Sequence, residues 1–381
     1  MQLLDEGLIY DAGAAPLQHR RAAFTGLLQA TDGALYASAC IASEKNGPNG
    51  NIVIFRSDDR GSTWSPINAP FPTTQDGIPG SFGSGYLFQP SQADAGADAD
   101  DELVLSLIWC DRSNPDLPLA NPDTGGLLPF RYYVTRSHDR GATWSELQRV
   151  DLLPNKGASG TNEIVQLKSG RWMMSYEAWR DWDETEGIQQ AVVRYSDDRG
   201  DTWSDPVIMA SDPAQETYYW DNRLAVDPKT GRVVTMYWTH RPTSGKDVDI
   251  HMQWSDDTGM HWPTPTPTGI AGQIAMPLPL PDGRLLCFYV HRHDPPSMRV
   301  VISRDGGRTW RMDDELIVYS SGAGDEAGAA GGRFDTEYWE DMNRWTFGHP
   351  RAVLLPDGSV LLAFYAGDAN RLDLRWARVG I

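Results

Sequence analysis

SDDRGSTWS, residues 57–65, reads as a tight polar turn that ends in a large indole. Asp59 can accept backbone N–H groups within its own turn, Gly61 can take a positive φ, and Trp64 can cover an apolar edge. These residues need no ligand to account for them. Nearly the same letters return as SHDRGATWS at 137 and SDDRGDTWS at 196; S-x-D-x-G-x-T-W starts again at Ser303, and a degraded copy, SDDTGMHW, starts at Ser255. Spacings of 80, 59, 59 and 48 residues are too irregular for a solenoid. They suit a radial array whose units carry loop insertions of different length.

A second repeat interleaves with the first: an apolar run, a glycine-containing turn, and another apolar run. Its copies are LLQATDGALYASAC at 27, IVQLKSGRWMMSYEAW at 164, LAVDPKTGRVVTMYWTH at 224, PLPLPDGRLLCFYV at 277 and AVLLPDGSVLLAFYAG at 352, with a less regular sixth through DELVLSLIWC at 101. Each is a β-hairpin signature, and helical periodicity is almost absent. Six hairpins and five boxes predict an all-β chain: one domain, 1–381, forming a six-bladed β-propeller of four-stranded antiparallel blades. The final segment LDLRWARVG supplies only a third strand, so the N-terminal QLLDEGLIYD is expected to complete the last blade and remove its open edge.

The formal net charge is −19, with a pI near 4.7. That excludes partners that need a basic footprint, such as nucleic acid or an anionic membrane surface. Cys40, Cys110 and Cys287 fit no zinc spacing and end apolar runs, so buried free thiols are expected. No apolar run reaches membrane-helix length and MQLLDEGLIYDAG lacks a signal-peptide pattern; a soluble protein is expected, with cytoplasmic residence and export by a trimmed leader both open.

The box between hairpins resembles the Asp-box, or bacterial neuraminidase, repeat of the sialidase-like six-bladed propellers, and the resemblance spans essentially the whole chain. It implies the fold more than an activity, because Asp boxes occur in sialidases, other glycosidases, some polysaccharide lyases and non-enzymatic propellers. Sialidases hold a carboxylate with three arginines and use a tyrosine nucleophile paired with a glutamate. Aligned on the D-G turns, the first arginine falls near Arg20 and Arg21, two residues out of step. TNEIVQLKSGRWMMSYE resembles the family's N-E stretch, with Glu163 two residues nearer the glycine. Glu177 stands at the second arginine's position and His349 at the tyrosine's. The resemblance therefore implies a sialidase-like scaffold around a different site.

If the boxes join third to fourth strands, they share a face with the D-G turns, and chemistry belongs on the opposite face. There the second strands end in WCDRSN at 109, YEAWRDW at 176, YWTHRP at 237, YVHRHD at 289 and YAGDAN at 365. The loops 110–131 and 319–347 are expected to form a rim. Glu177 interrupts an apolar strand and should face the axis, with Asp221 or Glu163 as its partner acid and Asn162 as a hydroxyl binder. His349, His240 and His291 offer imidazoles for base or hydrogen-bonding roles. Arg180, Arg241 and Arg292 follow their turns at nearly equal offsets; with Arg21, Arg223 and Arg351 they are candidates for an anionic substrate group. Trp179, Trp220 and Trp238 can stack on sugar rings. No convincing metal triad is present, and no cofactor is expected.

Three functions compete. A glycoside hydrolase would use Glu177 with Asp221 or Glu163 as acid, base or nucleophile. A uronate lyase would use a histidine base, favoured by a tyrosine near His349. A non-catalytic glycan-binding propeller would lock its carboxylates in ion pairs.

Overall fold

The computed structural model describes residues 1–91, 101–155, 157–159, 163–255, 259–321 and 342–381. Within them the chain is almost entirely β-strand, with only short helical turns such as Leu17–His19 and Met312–Asp314. No helix among the described residues is long and apolar enough to cross a membrane.

The strands form antiparallel meanders in chain order. Gly80–Phe88, Leu103–Asp111, Phe130–Ser137 and Gln148–Val150 make one sheet, and Ala275–Pro279, Leu285–His291, Ser297–Ser303 and Leu316–Ser320 make another. Between them lie two five-stranded sheets, one built on Trp172–Trp179 and one on Tyr218–Val226 and Val233–Arg241. The largest sheet joins two runs. Arg21–Gln29, Leu35–Ala42, Asn51–Ser57 and Ser65–Pro66 form the first; Phe347–Leu354, Val360–Gly367 and Leu372–Gly380 form the last. A single parallel bridge, Arg21 to Leu372, links the runs, and Gln2–Tyr10 pairs antiparallel along Leu372–Gly380 from Gln2↔Gly380 to Tyr10↔Leu374.

The core lies between consecutive sheets rather than in one central mass. Leu105, Leu107 and Trp109 pack with Ile52 and Ile54, and Val234, Met236 and Ala275 pack with Leu285 and Cys287. The last run packs on the first through Leu361, Ala363 and Leu374 against Ala22, Leu35 and Ala37. All three cysteines are buried free thiols.

Each complete box sits between a third and a fourth strand and bonds within itself. Asp59 accepts from the Thr63 backbone N–H at 2.8 Å and its hydroxyl at 2.6 Å, and the Ser57 hydroxyl receives the Gly61 N–H at 2.8 Å. Trp64 Nε1 donates to the Gly61 carbonyl at 2.9 Å, with Gly61 at φ +91. Asp139, Asp198 and Asp305 repeat the pattern, while Asp257 lies outside the described residues. The Thr63 hydroxyl, then its N–H, pull the Asp59 carboxyl down to about 2. A depressed carboxylate stabilises the fold above its unfolded value near 3.8, and that contribution is lost as pH falls toward about 2. Asp59→Ala should therefore lower the Tm at neutral pH, and the gap to the parent should narrow below about pH 4 in thermal melts. A constant gap across that range would refute this account.

Candidate active site

The inner strands share an irregularity that decides where side chains point. Register shifts fall between Ala23 and Gly26, Phe82 and Ser84, Trp220 and Arg223, and Gly348 and Arg351. A β-bulge bends the strand and re-aims a residue. In three of the four the re-aimed residue is non-glycine with left-handed backbone: Phe24 at φ 58, Asp221 at φ 47 and His349 at φ 52. Such residues cost roughly 1–3 kcal/mol each and persist only where their surroundings hold them. All three, and Gly83 at the fourth bulge, line one cavity of about 840 Å³, counting the solvent at its mouth.

Four of the five sheets line this cavity. The second contributes Ser84 and Ile108, the third Ser159 and Glu177, and the fourth Trp220, Asp221 and Trp238. Ile274 enters beside the fifth, and His349 and Tyr365 come from the last run.

Glu177 pairs in register with Ser159 and is buried. Its Oε1 accepts the Asn222 backbone N–H at 3.1 Å and the Asn222 side-chain amide at 2.6 Å. Burial, and then the charge of Asp221, raise its pKa well above that of an ordinary carboxylate, against the pull of the Asn222 donors and Arg223. Asp221 is also raised by burial, but Arg223, Lys45 and Arg351 pull it back. The two carboxyls titrate as one coupled pair in which Asp221 ionises first.

Arg223 links this pair to His349. Its Nη2 lies 3.5 Å from Asp221 Oδ1 and donates to His349 Nδ1 at 2.9 Å. A guanidinium has no acceptor, so Nδ1 must accept and the imidazole proton sits on Nε2. Burial, Arg223 and the nearby cations hold His349 far below its ordinary pKa, which keeps it neutral. It is thus presented as a hydrogen-bond donor rather than as a free base.

Lys45, in the loop after Leu35–Ala42, completes the site. Its ammonium donates to the Met342 carbonyl at 2.6 Å and the Tyr365 hydroxyl at 2.8 Å, 5.0 Å from the Tyr365 ring centroid and 5.7 Å from that of Trp345. Burial and then Arg292 lower its pKa to about 7, against the pull of Asp221.

The other sequence candidates divide. Buried Arg351 donates to the Thr25 carbonyl and pairs with the partly buried Glu163, and neither is in the cavity lining. Arg292 is buried between Gln273, the Phe347 carbonyl and the Trp345 ring, and Gln273 passes the network to Asp247 and His240. Arg180 lies over Trp179 and donates to the Thr185 carbonyl, and Arg241 is exposed. The radial equivalence expected of these three arginines does not bring them to the cavity: Arg180 and Arg292 bond to their own loop or a neighbouring strand, and Arg241 is exposed at the end of its strand. Arg21 donates to the Ala369 carbonyl, and His291 faces the Pro295 carbonyl. Trp179 is held in the core by Gly125, Tyr218 and Trp220, whereas Trp238 does line the cavity. Asn162 lies outside the described residues, as does most of the expected rim at 319–347. No cluster suited to a metal ion occurs among the described residues.

The rim segment 112–130 is pinned. Asn121 and Thr124 side chains donate to the Trp182 carbonyl at 2.9 and 2.6 Å, and Leu127 N–H donates to the Arg180 carbonyl at 3.2 Å. A Cβ on Gly126 would stand 1.9 Å from the Asp181 carbonyl oxygen. Gly126→Ala should unseat the segment, seen as faster limited proteolysis within 112–130 and a lower Tm; unchanged cleavage would refute the docking.

Lys45, Tyr365 and Phe24 escape the sequence reading. Lys45 was within its reach, because the first hairpin's second strand ends in SEKN, the same position that yields the other candidates. Phe24 and Tyr365 read as ordinary core aromatics, and no local signal marks the bulge.

Comparison with known proteins agrees with this fold. A model of the BNR repeat-like domain matches residues 176–315, little more than a third of the chain. No curated protein matches in sequence. Solved structures match over the whole fold: a protein of unknown function from Dyadobacter fermentans, at 19% identity over 100% of this chain and 99% of that one, has a TM-score of 0.72. An α-L-arabinanase from Penicillium chrysogenum, complexed with arabinobiose, matches at 16% identity over 99% and 98% of the two chains, with a TM-score of 0.66. An intramolecular trans-sialidase from Ruminococcus gnavus matches at 13% over 99% and 97%, with a TM-score of 0.65. The chain has the BNR-repeat, sialidase-like β-propeller fold.

Proposed function

We propose that this chain is a glycoside hydrolase acting on a glycan-type substrate in the cavity at the centre of a six-bladed propeller. The eight-stranded sheet is read as first and last blades, the last completed by Gln2–Tyr10. The observation that carries the activity is the Glu177–Asp221 pair, two unequal carboxyls facing one cavity, the first raised by burial and by the charge of the second, and the second pulled back by Arg223 and then Lys45. Pairs whose environments push their pKa values apart divide into acid and base or nucleophile.

In this reading the bond from the anomeric carbon to the leaving oxygen breaks and Glu177 protonates that oxygen. Asp221 stabilises the positive charge at the anomeric centre or attacks it. Water then adds its oxygen to that carbon and returns a proton to the carboxyl pair, so the enzyme is restored. Arg223, and then Lys45, favour the ionised form of Asp221, and His349 Nε2–H can bond a substrate oxygen. Proton NMR of the first-formed anomer, on a panel of neutral and acidic glycosides, tests the reading and reports retention or inversion. No hydrolysis of any member, with the fold intact, would overturn it.

A second reading, a uronate lyase, is favoured by one observation: the Tyr365 ring lies 5.8 Å from His349, with cations nearby. It requires an unsaturated product absorbing in the near ultraviolet. The Arg223 bond to His349 Nδ1 favours hydrolysis, because it occupies the lone pair that a base would use.

A further inference from the structure

We infer, on the basis of the glycosidase reading, that the group released from the substrate is an apolar alcohol rather than a second sugar. The groups that can bond hydroxyls include Asp221, His349 and Ser84 on inner strands, Glu177 on Trp172–Trp179 and Lys45 in the loop after Leu35–Ala42. The wall supplied by the second sheet and its rim segment is different in kind: Ile108, Leu119, Leu127 and Phe130 offer the cavity no side-chain hydrogen-bond partner. Leu119 and Phe130 keep partial exposure, so they are available to a ligand. Ile108, Leu119 and Leu127 are aliphatic and do not stack on a sugar ring as indoles do, and a hydroxyl pressed against any of the four loses water without gaining a partner. The wall is also preformed, since the segment is hydrogen-bonded to the Arg180 and Trp182 carbonyls. A cavity with a polar floor and a rigid apolar wall fits one polar ring carrying one apolar substituent. The chemistry is that of the hydrolysis above, with an alkyl or aryl alcohol as the leaving group.

The test compares methyl and octyl glycosides of arabinofuranose, glucose, glucuronic acid and N-acetylneuraminic acid with disaccharides of the same sugars. Methyl and octyl alcohols have similar leaving ability, so a difference in kcat/KM reports the wall. For the sugar that is cleaved, the octyl glycoside should be hydrolysed at least about tenfold more efficiently than the methyl glycoside and the disaccharide. Leu119→Ser and Phe130→Ser should each bring the octyl-to-methyl ratio toward one. Binding of octyl against methyl glycoside to Glu177→Gln, measured by calorimetry, should show the same preference without turnover. Hydrolysis with equal ratios, or preference for the disaccharide, would overturn this inference and leave the glycosidase reading standing. Failure to cleave any member would overturn that reading first.

Discussion

Glu177→Gln should fold as the parent does and lose about 10²- to 10⁴-fold in kcat/KM, the range expected when a general acid is removed. Glutamine keeps the shape and an oxygen for the Asn222 amide donors at 3.1 and 2.6 Å, so packing around the residue survives. What it lacks is the transferable proton. The loss should be smallest on substrates with strongly acidic leaving alcohols, which need no protonation. Rate measurements on phenyl glycosides of graded acidity would show this, and an equal loss on all of them would place Glu177 outside the chemistry. A fully active variant would remove it from the site.

Asp221→Asn should be the second severe loss, and its pH profile is the more telling readout. Asparagine tolerates the left-handed backbone at φ 47 as aspartate does, so the bulge is retained. Activity in the parent should follow a bell, with the acidic limb set by ionisation of Asp221 and the basic limb by proton loss from Glu177. The Asp221 charge is one of the causes that raise Glu177, and it opposes the lowering of Lys45 to about 7. Without that charge both pKa values fall. The residual activity should therefore lose its acidic limb and show a basic limb shifted to lower pH. A basic limb that stays in place would mean the two carboxyls do not interact, and the proposed division of roles would fail.

The boxes are legible in the sequence because each is a local system: serine, aspartate, glycine and threonine bond one another within nine residues, and in two copies the tryptophan N–H joins them. Hairpins are legible for a similar reason, since a glycine turn and two β-rich runs specify each other locally. Glu177 is visible as a charge in a strand otherwise reading as core, and Asp221 as an acid at a strand entry. The arginines mislead because offset from a turn says where a Cα lies but not which carbonyl a long, flexible side chain will reach. Arg292 and Arg351 end in buried networks, Arg180 on Trp179, and Arg241 in solvent.

The sequence by itself determined the all-β class, the repeat of hairpin and box, and the pairing of the N-terminal strand with the last segment. All of these follow from patterns within a few residues or from unpaired strand edges that must be closed. Tertiary structure alone decided the composition of the cavity. Four bulges turn Phe24, Gly83, Asp221 and His349 inward, and packing of distant strands brings Lys45 to Tyr365 across 320 residues of chain and Asn222 to Glu177 across 45. The raised pKa of Glu177 and the lowered pKa of His349 arise from burial and from charges brought in by distant parts of the chain, which no local pattern encodes.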